Sequence, residues 1–166
     1  MNKIYDLAIL GGGPAGAATA VYAARKRLKA VIITPSWGGQ SIDSAGIENW
    51  IGTVKISGMD LAKSLENHVR AYAENIIDIK DGEHVTKVEK DRDIFTVTTD
   101  SSTYKAKTFL VATGSHRRKL DAPGADKFEH KGLTYCATCD GPMFADQDVV
   151  VIGGGNAAFE SVAQLL

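Results

Sequence analysis

A short apolar run, a glycine-rich turn, a helix and a second apolar run follow one another within the first 34 residues. That order constrains the fold more than any other feature of the chain. Residues 5–10 (YDLAIL) read as a strand, and Gly11-Gly12-Gly13-Pro14-Ala15-Gly16 follows at once. Residues 15–27 read as a helix whose small and apolar face is Ala18, Val21, Tyr22 and the stem of Arg25. Residues 30–34 (AVIIT) read as the next strand. Gly11, Gly13 and Gly16 have the G-x-G-x-x-G spacing. The first glycine permits the tight turn, the second lets backbone approach a pyrophosphate, and the third lets helix and strand pack closely. The helix N-terminus then points free N–H groups at the phosphates. A bare G-x-G-x-x-G is weak, but between two strands and a helix it is strong. The acid expected on the ribose near the end of the second strand is absent, and Thr34-Pro35-Ser36 stands there. Either other groups hold the adenosine, Thr34 among them, or affinity is lower.

The same grammar returns near the other end. Residues 148–152 (DVVVI) read as a strand, Gly153-Gly154-Gly155-Asn156-Ala157-Ala158 gives G-x-G-x-x-A, and residues 159–166 read as a helix. Two fingerprints imply two nucleotides and electron passage between them. Between them, residues 57–73 read as a helix opened by Ser57-Gly58-Met59-Asp60, an S-x-x-D capping box. Its expected buried stripe is Leu61, Leu65, Val69 and Tyr72, with His68 a packing or surface histidine. Residues 76–112 change period to short strand-like runs punctuated by Asp81-Gly82, Asp91-Arg92-Asp93 and Asp100-Ser101-Ser102. They read as a meander inserted in the nucleotide fold, returning to a parallel sheet at Phe109-Leu110-Val111. Ala112-Thr113-Gly114 leaves that strand at its carboxyl end, where open α/β sheets bind ligands. Ser36-Trp37-Gly38-Gly39-Gln40 reads as a loop. Gly39 and Gln40 can set backbone and an amide against a flat polar ring, or they can form a turn before a packed Trp. Arg117-Arg118-Lys119 reads as a solvated basic face, with a phosphate contact as the alternative. Asp121-Ala122-Pro123-Gly124 has linker chemistry and marks a domain boundary at or shortly before it.

The only two cysteines are Cys136 and Cys139, followed directly by Asp140. Half a zinc site would need a second pair, and His116 and His130 lack the usual spacing, so no metal is expected. A structural disulfide would close too small a loop to stabilise much. A redox pair fits, provided a helix end or a nearby charge stabilises one thiolate. Asp140 is then the nearest group to move a proton as the disulfide opens, a role that needs a carboxyl of raised pKa. The net charge of −1 offers no footprint for nucleic acid or an anionic membrane. No apolar run approaches the roughly 20 residues of a membrane span. Asp6 and the glycine turn interrupt what would be a signal peptide. A cytoplasmic protein is expected.

With these residues in hand, the chain resembles the low-molecular-weight thioredoxin reductases and the closely similar flavoprotein reductase of alkyl hydroperoxide reductase. The resemblance rests on four motifs in order: Gly11-Gly12-Gly13-Pro14-Ala15-Gly16; Gly38-Gly39-Gln40 with Glu48-Asn49-Trp50; Ala112-Thr113-Gly114; and Cys136-Ala137-Thr138-Cys139-Asp140-Gly141 with Gly153-Gly154-Gly155-Asn156. It implies an α/β, FAD/NAD(P)-binding three-layer Rossmann-like fold with an inserted β-meander, followed by the start of a second Rossmann-like domain. Residues 1–117 would be the FAD-binding segment without its C-terminal return. Residues 118–166 would open an NAD(P)H-binding domain that carries the cysteines. The resemblance places Gly13, Pro14, Ala15 and Gly16 on the FAD pyrophosphate, and Thr34, Gly39, Gln40 and Asn49 along the ribityl and ring. It sets the Val85 backbone at the adenine, with Ala112, Thr113 and Gly114 closing the site. Gly153, Gly155, Asn156, Ala157 and Ala158 would hold NADPH or NADH. Cys139 would face the flavin, Cys136 would attack the partner disulfide, and Asp140 would be the acid/base.

The expected activity is therefore thioredoxin-disulfide reduction, in a homodimer at full length. The related branch that serves a peroxidase is the alternative, and Tyr135 with Gly141-Pro142-Met143-Phe144 looks more like that branch. A non-catalytic flavin-binding module is the reading from another class. Chains of this family continue well past residue 166, which implies a fragment that cannot turn over NAD(P)H by itself. The linker would permit the large domain rotation the family uses. A fused thioredoxin-like N-terminal unit is not expected, because the chain starts at the first strand.

Overall fold

The apolar run that opens the chain forms β1, Ile4–Gly12, and the glycine turn passes directly into α1, Pro14–Arg25. The computed structural model describes residues 3–115, 118–129 and 131–166. The expectations on His116, Arg117 and His130 lie outside the described residues, as does that on the Cys139 side chain. The chain divides into two units, Met1–Ser115 and His116–Leu166.

In the first unit, β2 (Ala30–Trp37), β3 (Ile77–Asp81), β4 (Val85–Asp91), β5 (Ile94–Thr99) and β6 (Thr103–Val111) join β1 in one sheet. The order is β3-β2-β1-β6-β5-β4. β1 pairs in parallel with β2 and β6, and β2 in parallel with β3. β4, β5 and β6 pair antiparallel as the expected meander. The last meander strand and the return to the parallel sheet at Phe109-Leu110-Val111 are one strand, β6. β6 can serve both halves because its two edges are used at once: Ala106 faces Tyr5 on one side and Phe95 on the other. β2 also runs three residues past its expected end, so Trp37 is buried strand rather than loop.

Alternate side chains of the parallel strands go to opposite faces. Ile9, Ile32 and Ile77 pack with α1 and with α2, Gly58–Ala73, while Val31, Ile33, Ala8 and Leu10 pack with Val97 and Ala106 of the meander. Helices and meander thus cover the two faces of a parallel sheet, as such a sheet requires. Each fully buried Ile or Val contributes roughly 2 kcal/mol. α2 starts where the capping box places it: Ser57 Oγ accepts from the Asp60 amide at 3.1 Å and donates to its carboxylate at 2.5 Å.

Two helix faces differ from expectation. α1 buries Gly16, Ala17, Ala20, Val21, Ala23 and Ala24, whereas Ala18 is exposed and Tyr22 is 67% exposed. Alanine stands on every side of this helix, so polarity gives no stripe, and fit against the sheet chooses the face. On α2, Leu61 and Val69 are buried as expected, but Ala62 and Ala73 complete the stripe while Tyr72 lies outside it, beside His68 at 5.4 Å between ring centroids.

Under the meander, buried Tyr5 donates to the Asp78 carboxylate, and Lys3 reaches the same oxygen at 2.6 Å. Burial pushes the Asp78 carboxyl up, but the hydrogen bonds from Lys3 and Tyr5 and the charges of Lys3 and Lys80 together hold it below its ordinary value. Burial, and then the bond to Asp78, push the Tyr5 phenol well up. Tyr5→Phe is therefore expected to lower the unfolding free energy by about 1.5 kcal/mol near neutral pH. The depressed Asp78 value makes this contribution present above the unfolded carboxyl pKa of about 3.9 and lost as pH falls through the folded value. The raised phenol value keeps it present below about pH 10. Urea titrations of both chains between pH 3 and 8 test this, and a difference independent of pH would contradict it.

The second unit is built differently. It contains α3 (Ala125–Phe128), α4 (Ala137–Asp140), a 3₁₀ turn at Gly141–Phe144 and α5 (Asn156–Leu165). No strand forms at 148–152, which corrects the expectation there. Val150 and Ile152 are 83% and 66% exposed. A strand is held by its neighbour's ladder, and the described residues of this unit offer only an isolated bridge between Glu129 and Leu133. None of its described residues is buried.

Candidate functional site

Three glycine contacts build the first site. Gly11 turns the chain at φ +118°, and a Cβ there would lie 2.3 Å from the Ala112 carbonyl oxygen. A Cβ on Gly16 would lie 1.8 Å from the Gly11 carbonyl oxygen and 3.7 Å from the Ala112 Cβ. The exit of β6 is thereby locked onto the turn after β1, and the Ala112 amide donates to Leu10 at 2.9 Å. Gly12 is needed for a separate reason: a Cβ there would meet Thr34 Oγ1 at 2.5 Å.

Gly13 is the N-cap of α1, with Pro14 in the first turn, no side-chain cap and no acidic residue in that turn. The first helical bond runs from the Ala17 amide to Gly13, so the amides of Ala15 and Gly16 precede it. Gly38 and Gly39, both at positive φ, bring the next loop against this end. A Cβ on Gly39 would stand 3.5 Å from the Gly13 Cα. A Cβ on Gly38 would instead strike Ala62 at 2.5 Å, so that glycine serves the packing of α2. Around an uncapped helix end lie two bare backbone segments and the Ala112-Thr113-Gly114 exit, with Thr113 and Gly114 exposed. This arrangement fits an extended diphosphate.

The remaining expected residues sit as follows. Thr34 is fully buried, and its hydroxyl donates to the Ser36 carbonyl, so its visible work is to fill the space under Gly12. Gln40 is exposed in the 3₁₀ turn Gly39–Asp43. Asn49 is exposed in the loop that the Ile47–Ile56 bridge closes. Val85 is half-buried in β4 opposite Thr99 and packs against the meander-side core. At the ends of β2 and β3, Trp37 Nε1 and Arg70 both donate to Asp81 at 3.2 Å.

In the second unit the G-x-G-x-x-A turn takes the same shape as the first, without a strand before it. Gly153 has φ +139°, Gly155 is the N-cap of α5 in extended conformation without a side-chain cap, and the Ala158 amide donates to Gly155 at 3.0 Å. A Cβ on Gly153 would lie 3.1 Å from the Ala158 Cβ. Asn156 and Ala157 form the first turn of α5.

Cys136 is half-buried just before α4, and its carbonyl accepts from the Asp140 amide at 2.9 Å. Thr134 donates to the Asp140 carboxylate, and its Oγ1 accepts from the Cys136 amide at 3.3 Å. Thr138 Oγ1 donates to Gln164 Oε1 at 2.9 Å, which ties α4 to α5. Gly12, Thr134 and Thr138 were not singled out from sequence. The contact with Thr34 explains Gly12, whereas a threonine two residues before a cysteine carries no signal of its own.

Among the described residues, no group of three or more His, Cys, Asp or Glu side chains could hold a metal, and no helix is long and apolar enough to cross a membrane.

Comparison with known proteins agrees with these motifs. Residues 5–166 match the family model described as pyridine nucleotide-disulphide oxidoreductase. The F subunit of alkyl hydroperoxide reductase from Xanthomonas campestris pv. phaseoli is 38% identical over 164 residues, 99% of this chain and 31% of that protein. A Bacillus subtilis (strain 168) protein named NADH dehydrogenase is 40% identical over 162 residues, 97% of this chain and 31% of that one. The thioredoxin reductase from Streptococcus pyogenes MGAS5005 superposes with a TM-score of 0.84 at 38% identity, covering 99% of this chain and 53% of that chain. The chain thus spans under a third of those curated relatives and about half of that solved structure.

Proposed function

Since the chain belongs to the pyridine nucleotide-disulphide oxidoreductase family, we propose that it is part of an FAD-dependent reductase that carries electrons from NAD(P)H to the Cys136/Cys139 pair and on to thioredoxin. Its likeness is to thioredoxin reductases and to the flavoprotein component of alkyl hydroperoxide reductase, whose family binds FAD and NAD(P)H. The observation that carries the reading is the convergence of Gly11, Gly13, Gly16, Gly39 and Ala112 on the uncapped end of α1.

The first unit, residues 1–117 in this reading, would hold FAD. The amides of Ala15 and Gly16 would meet its pyrophosphate where Gly13 and Gly39 present no side chain. Gln40 and Asn49 would orient the ring, Val85 would meet the adenine, and Thr113 and Gly114 would close the site. Residues 118–166 would belong to the NAD(P)H domain, with Gly153, Gly155, Asn156, Ala157 and Ala158 at its diphosphate. Bound FAD supplies the electron pair taken from the nicotinamide. Opening the Cys136–Cys139 bond consumes two electrons and two protons, and Asp140 would hold and deliver one of those protons. Cys139 would receive the electrons, and Cys136 would attack the partner disulfide. The protein would act in the cytoplasm as a homodimer.

A second reading has a specific observation behind it. Tyr135 with Gly141-Pro142-Met143-Phe144, together with the relative named as the F subunit of alkyl hydroperoxide reductase, favours a peroxidase system as the electron acceptor.

A visible spectrum tests the proposal. The chain, incubated with FAD and freed of excess by gel filtration, is expected to keep a flavin band that bleaches under dithiothreitol. Bleaching is expected to fail in Cys139→Ser. A chain that emerges colourless would overturn the reading that these residues hold the flavin by themselves.

A further inference from the structure

The half-buried Thr134 hydroxyl joins two groups of the dithiol turn that the sequence motif keeps separate. A threonine hydroxyl has one proton to donate and lone pairs to accept with. Here the proton goes to Asp140 Oδ2, and a lone pair takes the Cys136 amide at 3.3 Å. The Asp140 amide already donates to the Cys136 carbonyl at 2.9 Å. Cys136 and Asp140 are therefore bound to each other twice, once through backbone and once through Thr134. Oδ2 of Asp140 is thereby engaged by a donor. Thr138 anchors the other side of the same turn to Gln164 on α5.

We propose that Thr134 is a positioning residue of the dithiol. It would set the Asp140 carboxyl so that one oxygen faces the sulfur proton traffic, and hold the Cys136 backbone in the matching register. This rests on the redox reading of Cys136 and Cys139 given above. In the step concerned, a dithiothreitol thiolate forms a new S–S bond to one cysteine sulfur as the Cys136–Cys139 bond breaks. The other cysteine sulfur leaves with the bonding pair and takes a proton from the Asp140 carboxyl, which solvent reprotonates. The second dithiothreitol thiol then closes on the mixed disulfide and frees the remaining cysteine.

The test needs no flavin. The full chain is oxidised, then reduced with dithiothreitol, and the appearance of Cys136 and Cys139 thiols is followed by rapid alkylation and mass analysis. A positioned acid contributes about 100-fold at the lower end of its range, so Thr134→Val, which keeps shape and loses the hydroxyl, is expected to slow reduction at least about tenfold. Thr134→Ser is expected to restore the original rate. In an Asp140→Asn background, Thr134→Val should add less than about a twofold change, because groups acting through one another are not additive. A Thr134→Val rate equal to the parent overturns the proposal. So does a Thr134→Ser rate as slow as Thr134→Val, or full additivity with Asp140→Asn. A parent chain that forms no reducible Cys136–Cys139 bond overturns the redox reading itself and this proposal with it, whereas loss of the flavin band alone leaves Thr134 standing.

Discussion

Gly16→Ala is expected to destabilise the first unit by about 3 kcal/mol, the upper end of overpacking costs, and to abolish flavin retention. The added methyl would sit 1.8 Å from the Gly11 carbonyl oxygen. That oxygen belongs to backbone, not to a flexible side chain, so α1 itself has to move by more than about 1 Å to restore ordinary contact. α1 is tied to the sheet through Ala17, Ala20, Val21, Ala23 and Ala24, and the displacement would loosen each of them. The cost therefore spreads into the helix-side core instead of staying at the turn. Urea unfolding measures it. Gly154→Ala is the matched control, because nothing lies within 4 Å of a Cβ there, and a change within about 0.5 kcal/mol is expected. A Gly16→Ala chain that unfolds at the parent midpoint would mean that α1 does not seat on the Gly11 turn.

Gly13→Ala should separate folding from binding. Gly13 has φ −74° and ψ −175°, backbone that alanine adopts freely. A Cβ there meets nothing closer than the Gly39 Cα at 3.9 Å. The fold should tolerate the methyl within about 0.5 kcal/mol. The same methyl would occupy the space through which a pyrophosphate reaches the amides of Ala15 and Gly16. FAD affinity is expected to fall at least about 100-fold, or roughly 2.8 kcal/mol. Equilibrium titration of flavin fluorescence against the parent and Gly13→Ala chains measures this. Loss of stability and binding together at Gly16, but of binding alone at Gly13, is the pattern the cradle requires. Equal flavin affinity in Gly13→Ala and parent would place the diphosphate elsewhere.

The other glycines show why a motif alone is an incomplete guide. Gly12 and Gly38 stand inside the two glycine motifs, yet the structure gives each a packing duty, against Thr34 and Ala62 respectively. Substitution at either would damage the fold first and any ligand site only as a consequence. Thr34, expected beside a ligand, is wholly buried with its hydroxyl bonded to Ser36. The missing ribose acid thus coincides with a position used for packing under the turn.

What the sequence determined by itself was local. The strand, glycine turn and helix of the first fingerprint, the turn and helix of the second, the Ser57 cap of α2 and the turns of the meander each depend on residues a few positions apart. Backbone conformation and nearby hydrogen bonds decide those features, and residue type and spacing carry that information. The pairing of Gly11 with Ala112 and of Gly13 with Gly39 was decided only in three dimensions, because such contacts depend on the path of the chain between them. The buried face of α1 was also a tertiary choice, since a helix of alanines has no polarity to direct it. Residues 148–152 show the same limit from the other side. Their composition is that of a strand, but a strand is a property of a pair, and no neighbour in the described second unit supplies the ladder that would hold them extended.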